Sequence, residues 1–179
     1  SRVYPNNNSN YWIDYLAKNK YLNSIRQSNH IAFFELVNRH LEEMLPIVYT
    51  PTIGDAVKRY SYQFNTPSGV HFSYPNVNSD NIDAILNSIS YPELDIVVVT
   101  DGEGILGIGD WGAGGMDICV GKAIVYTLCG GINPRRILPI QIDVGTNNKQ
   151  LLNDPMYLGW RHPRVEGDEY RAFVAMVLE

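Results

Sequence analysis

Polar positions dominate the chain from Ser1 to Asn10, and the first ordered apolar spacing follows them. Trp12, Tyr15, Leu16, Leu22 and Ile25 recur at intervals close to a helical turn. A second helix is predicted through SNHIAFFELVNRHLEEML, with Ser28 as its N-cap and an apolar stripe at Ile31, Phe34, Leu36, Val37 and Leu41. Pro46 ends that helix, and Ile47 to Tyr49 continue as a short extended piece. Thr50-Pro51 then opens a third helix, PTIGDAVKRYSYQF, because Thr caps and Pro suits the first helical position.

From Gly69 the period changes. GVHFSY alternates like a strand, Asp80 begins a helix DNIDAILNSI, and Leu94 to Thr100 is a continuous β-branched run of the kind buried on both faces. After ILGIGD and a glycine-rich loop come a helix over MDICVGKAIVYTLCG, stopped by Gly130-Gly131, and a second buried strand in ILPIQIDVG. A crossover of that length joins parallel strands. The predicted fold class is therefore α/β, a small parallel sheet flanked by helices, with residues 1–45 as a helical N-terminal segment and 46–179 as the α/β domain.

Composition narrows the function classes. With 179 residues, 45% of them hydrophobic, the chain can bury one sizeable core. Its net charge of -5, from 14 basic and 19 acidic residues without a run of either sign, carries no electrostatic footprint for nucleic acid or an anionic membrane. No apolar run approaches the roughly 20 residues that span a bilayer, and the N-terminus has no signal-peptide core, so a cytoplasmic location is expected. Both ends read as cut, with Ser1 in place of an initiator Met and AFVAMVLE stopping without a cap, so a longer parent chain is expected. Cys119 and Cys129 are read as buried, reduced thiols, the alternative being a disulfide or metal pair. Asn7-Asn8-Ser9 matches a glycosylation acceptor without other signs of secretion.

The ends of parallel strands are where α/β proteins place ligands, which draws attention to Thr100–Glu103 and Asp143–Asn148; turn formation alone would also account for their Asp, Gly and Asn content. Lys122 falls inside an apolar helix, where its ammonium either snorkels outward or is desolvated, the second lowering its pKa toward the range of a general base. Tyr49 falls at a junction before a helix N-terminus, an environment that favours carboxylates; its hydroxyl is a proton donor or a satisfied core group. The histidines at 30, 40, 71 and 162 are dispersed and make no metal pair. Gly107, Gly109 and Gly112 spell G-x-G-x-x-G, but the acidic Asp110 inside the motif would repel a pyrophosphate, and the next strand ends too far downstream.

Three blocks together resemble a known family: VYTPTIGDAVKRYS, VVVTDGEGILGIGDWGAGGMDICVGK and YTLCGGINPRRILPIQIDVGTNNKQLLNDPMYLGWRHPRV. Over about residues 20–175 they are similar to the N-terminal domain of malic enzymes and of the related malolactic enzymes. The resemblance implies a three-layer α/β/α domain like the N-terminal domain of amino-acid dehydrogenases. It also implies NAD-dependent oxidative decarboxylation of L-malate, with Tyr49 of the YTP motif as general acid and Lys122 of the VGK motif as general base, both in contact with substrate. NAD, and Mn or Mg, would be held mainly by a later part of the chain that contains the Rossmann domain, so this piece alone is expected to be inactive and to hold no metal. A homodimer or homotetramer is implied. Gly104 departs from the family, because malic enzymes carry an Arg there that contacts substrate and cofactor; Gly104 and IGDWG resemble malolactic enzymes, which convert malate to lactate. A non-catalytic oligomerisation or regulatory module is the remaining alternative.

Overall fold

The structure is a computed structural model that describes residues 9–63, 66, 68–89, 93–105 and 107–178, with side chains from residue 14 onward. The acceptor Asn7 and the side chains of Trp12 and Phe64 lie outside the described residues. The chain divides into two compact units, Ser1–Ala56 and Val57–Glu179.

In the first unit three helices pack on one another: α1 (Ser9–Ser28), α2 (His30–Arg39) and α3 (Leu41–Val48). Leu22, Phe33, Val37, Ile47 and Val48 form the buried face. The face of α2 is therefore set by the Phe33–Val37 pair, one turn apart, and Ile31 from the predicted stripe is 68% exposed. Asn29, not Ser28, caps α2: its side chain accepts from the Ala32 N–H at 3.0 Å, whereas Ser28 completes α1 and returns its hydroxyl to Ser24 O at 3.0 Å. Buried Asn19 donates to Ile47 O at 2.8 Å and fastens α1 to α3.

Pro46 does not end a helix; it lies inside α3, and Ile47 and Val48 are helical rather than extended. Pro46 is the sixth residue of this eight-residue helix, where it forfeits one backbone bond, and burial of Ile47 and Val48 beside it outweighs that loss. After a cis Thr50–Pro51 peptide, α4 (Thr52–Lys58) begins one residue later than the predicted first helical position, Pro51, and stops short of Tyr60–Tyr62, which form a single 3-10 turn.

The second unit holds a parallel three-stranded sheet in the order β1 (Val70–Ser73), β3 (Ile137–Asp143), β2 (Ile96–Thr100). Central β3 is buried at all seven positions. Because residues alternate between faces, Leu138, Ile140 and Ile142 turn toward α5 (Ile82–Asn87) and α8 (Gly167–Leu178), where they join Phe72, Ile82, Phe173 and Val177 in the main core. The opposite face receives α6 (Met116–Gly130), with Gly115 above Gln141. This is the α/β arrangement expected, a small parallel sheet between helices, preceded in sequence by a helical segment.

The expectation that the run Leu94 to Thr100 is buried on both faces fails for β2. Among the described residues it is an edge strand, with Val97 45% and Val99 37% exposed. Its β-branched composition reflects strand propensity, while full burial belongs to the strand with a neighbour on each side. Cys129 is likewise exposed, although Cys119 is buried; both are free.

Candidate active site

The exits of β2 and β3 converge in the second unit, and one buried ion pair joins them. Arg164, whose side chain is 3% exposed, donates Nε to Asp110 Oδ2 and Nη2 to Asp110 Oδ1, both at 2.8 Å. Its Nη2 also reaches the carbonyl of Asp101 at 3.0 Å. The Asp110 carboxylate accepts in addition from Gly112 N–H at 3.0 Å, the Thr146 hydroxyl at 2.9 Å and Asn147 N–H at 2.8 Å, and its carbonyl from Asn148 Nδ2 at 2.8 Å. Burial alone would push this carboxyl up, but the guanidinium, the Asn147 amide and the Thr146 hydroxyl together hold it below the usual carboxylate range.

A third element closes on the same point. From α8, the Tyr170 hydroxyl donates to Asp101 Oδ2 at 3.0 Å, and burial together with that carboxylate pushes the phenol up to about 12. Asp143, at the end of β3, accepts from Gly145 N–H at 3.2 Å and from Trp160 N–H at 2.6 Å. Gly102 makes the close approach possible: at φ 73 its carbonyl accepts from Trp111 N–H, and a Cβ there would stand 1.9 Å from Gly112 O.

The glycine loop does not present a phosphate cradle. Gly109, Trp111, Gly112, Ala113 and Gly114 already donate their N–H groups to Ile105 O, Gly102 O, Asp110 Oδ1, the Tyr157 hydroxyl and Trp111 O, at 2.9–3.1 Å. Asp110 thus supplies the loop with an anion of its own, and a dinucleotide pyrophosphate does not fit these residues. A divalent cation does not fit either, because among the described residues no three His, Cys, Asp or Glu side chains converge to hold one.

Lys122 stands half-buried in the second turn of α6. One turn before it, burial pushes the Cys119 thiol up to about 12, against the pull of the Ile140 carbonyl contact and of the Lys122 charge. Gly104, four residues beyond the end of β2, is exposed, and a Cβ there would meet nothing within 4 Å. The fold therefore leaves space for the arginine that the resemblance led us to expect.

Tyr49 belongs to the first unit. It is half-buried at the C-cap of α3, so the junction is between two helices rather than a strand and a helix. Its N–H returns to Leu45 O at 3.0 Å, and its carbonyl accepts from Ile53 N–H at 2.9 Å. Ile53 and Gly54 in the first turn of α4 are in this way already bonded internally, to Tyr49 O and Pro51 O.

Residues 26–179 match the family described as malic enzyme, N-terminal domain. The chain belongs to the malic enzyme family. It is 52% identical over 165 residues to an NAD-dependent malic enzyme of Acinetobacter baylyi, covering 92% of this chain and 29% of that protein. It is 51% identical over 169 residues to an NAD-dependent malic enzyme of Salmonella arizonae, covering 91% of this chain and 30% of that one. This malic-enzyme domain thus spans less than a third of the curated relatives it matches. Among its described residues, no helix is long and apolar enough to cross a membrane.

Two groups in the malic-enzyme domain escaped sequence reasoning. Arg164 is one of two arginines in the loop before α8, and nothing in its neighbourhood announces partners 54 and 63 positions away. Tyr60 meets His71 Nε2 at 3.0 Å, and burial lowers the imidazole pKa while the Asp143 charge opposes that shift. No local pattern marks that pair, since one partner sits on a 3-10 turn and the other on a strand.

Proposed function

We propose that the full-length protein is an NAD-dependent malic enzyme that converts L-malate and NAD to pyruvate, CO2 and NADH. The observation that carries this reading is identity above 50% with NAD-dependent malic enzymes over more than nine-tenths of the chain. Residues 46–179 are the catalytic part contributed here, with 1–45 as a helical appendage. NAD, and Mn or Mg, are proposed to be held mainly by a later part of the full-length protein, and the roles proposed for this domain are proton transfer and positioning.

In this reading Lys122 is the general base that takes the proton of the malate 2-hydroxyl, and Tyr49 is the general acid that returns a proton to carbon after CO2 leaves. The half-burial of both residues supports such roles. The working enzyme is proposed to be a cytoplasmic homodimer or homotetramer, and this domain alone to be inactive.

A second reading is favoured by one observation. Gly104 has open space where malic enzymes carry an arginine, and in this respect resembles malolactic enzymes, which release lactate without net NADH. Supplying malate, NAD and Mn to the full-length protein decides between them. Pyruvate with stoichiometric NADH supports the first reading; lactate without NADH supports the second and overturns the first.

A further inference from the structure

We propose that Arg164 and Asp110 are positioning residues of the malate site. Their buried pair sets the β2 exit, the β3 exit and the start of α6 in one fixed arrangement before substrate arrives. This rests on the functional reading above.

Desolvation of both charges in a buried ion pair roughly cancels their attraction, so such a pair adds little net stability over apolar packing; what it supplies is a preference for one geometry. The fork of Arg164 reaches two segments at once: Asp110 through Nε and Nη2, and Asp101 through its carbonyl. Nη1 faces Asp101 Oδ2 at 3.6 Å. Asp110 then reaches two more segments, the Thr146–Asn148 turn through three bonds and Gly112 through one. Arg164 closes the ring by donating its own N–H to Asn147 Oδ1 at 3.1 Å.

The last link leads to the base. Gly112 opens the 3-10 turn Gly112–Gly115, and that turn runs directly into α6, which carries Lys122. The Asp110 to Gly112 bond therefore fixes where the helix starts, and with it the distance of Lys122 from both strand exits. Lysine in place of Arg164 would keep the charge and lose the fork, so it could hold Asp110 or Asp101 but not both.

The test uses the full-length enzyme with Arg164→Lys and Asp110→Asn, each assayed at a temperature where near-ultraviolet dichroism shows it folded. Displacement of reacting groups by about 1 Å costs on the order of 100-fold. We expect kcat to fall about 10- to 100-fold per folded molecule, with malate KM within about threefold, and the limb of the pH profile set by the base to move. Loss of folded fraction alone would leave that limb in place. A kcat within threefold of wild type and an unmoved limb would overturn the proposal.

Should both variants fail to fold, Tyr170→Phe decides, because it removes only the strut from α8 to Asp101. A loss of kcat of about fivefold or more supports the proposal, and unchanged kinetics overturn it. Wild-type turnover of malate is the control for the functional reading. If that is absent, the lock is judged by amide exchange in Arg164→Lys: roughly tenfold faster exchange at Gly112 and Asn147 sustains it, and unchanged exchange sinks it.

Discussion

The Arg164 guanidinium grips the Asp110 carboxylate through two 2.8 Å bonds across 54 positions of chain. The Arg164 side chain, 3% exposed, is buried deeply enough that its charge cannot turn to water when Asp110 is lost. Asp110→Ala should destabilise the domain by about 3–5 kcal/mol, the usual cost of orphaning a buried charge. Urea denaturation followed by tryptophan emission would measure it, and a loss below about 1 kcal/mol would show the pair to be dispensable.

The same carboxyl has a pH signature. Its folded pKa lies below the ordinary value, chiefly because Arg164, Asn147 and Thr146 together overcome the opposing effect of burial. The unfolded chain therefore takes up the proton first, so the stabilisation is present above about pH 4 and fades as pH falls through the folded value. Asp110→Asn should flatten the acid limb of stability against pH; an unchanged limb would assign acid unfolding to other groups.

His71 acts in a higher range. Burial lowers its pKa, Asp143 works the other way, and Tyr60 bonds its Nε2. The unfolded imidazole binds a proton more readily than the folded one, so stability is full above about pH 6.5 and declines as pH falls through that value toward the folded pKa. Replacing His71 with Phe should remove this slope between pH 7.5 and 5, which thermal melts at several pH values can follow.

The thiols should separate cleanly. Cys119 is 1% exposed and pushed up to about 12, whereas Cys129 is exposed near the end of α6. Iodoacetamide at neutral pH should label Cys129 within minutes and leave Cys119 unmodified until the protein unfolds. Equal labelling, read by peptide mass, would contradict the packing of α6 on β3.

Gly104 tests the reaction assignment without disturbing the fold. A Cβ there meets nothing, and the position is exposed, so Gly104→Arg should change stability by no more than about 0.5 kcal/mol. If the protein is a malic enzyme the added guanidinium should lower malate KM; an unchanged or higher KM counts against that reading.

For the proposed acid and base, Tyr49→Phe and Lys122→Ala in the full-length protein should each lower kcat by about 10²- to 10⁴-fold. Near-normal turnover in either variant removes that residue from the mechanism.

What the chain determined by itself was local. The β-branched run before Thr100, the apolar helix around Lys122 and the Gly130-Gly131 stop announced β2, α6 and their order, because period and glycine placement are properties of neighbouring residues. The family blocks likewise stand in contiguous text.

Tertiary structure decided the rest. Pro46 remained helical because Ile47 and Val48 beside it are buried, and β2 became an edge because, among the described residues, β3 alone has two neighbours. Asp110 read as an obstacle to a nucleotide, and in the fold it is the internal anion that occupies the loop's donors. Its partner, Arg164, carries no local signal at all, since a bond between positions 54 apart is written in the path of the chain and not in either residue's surroundings.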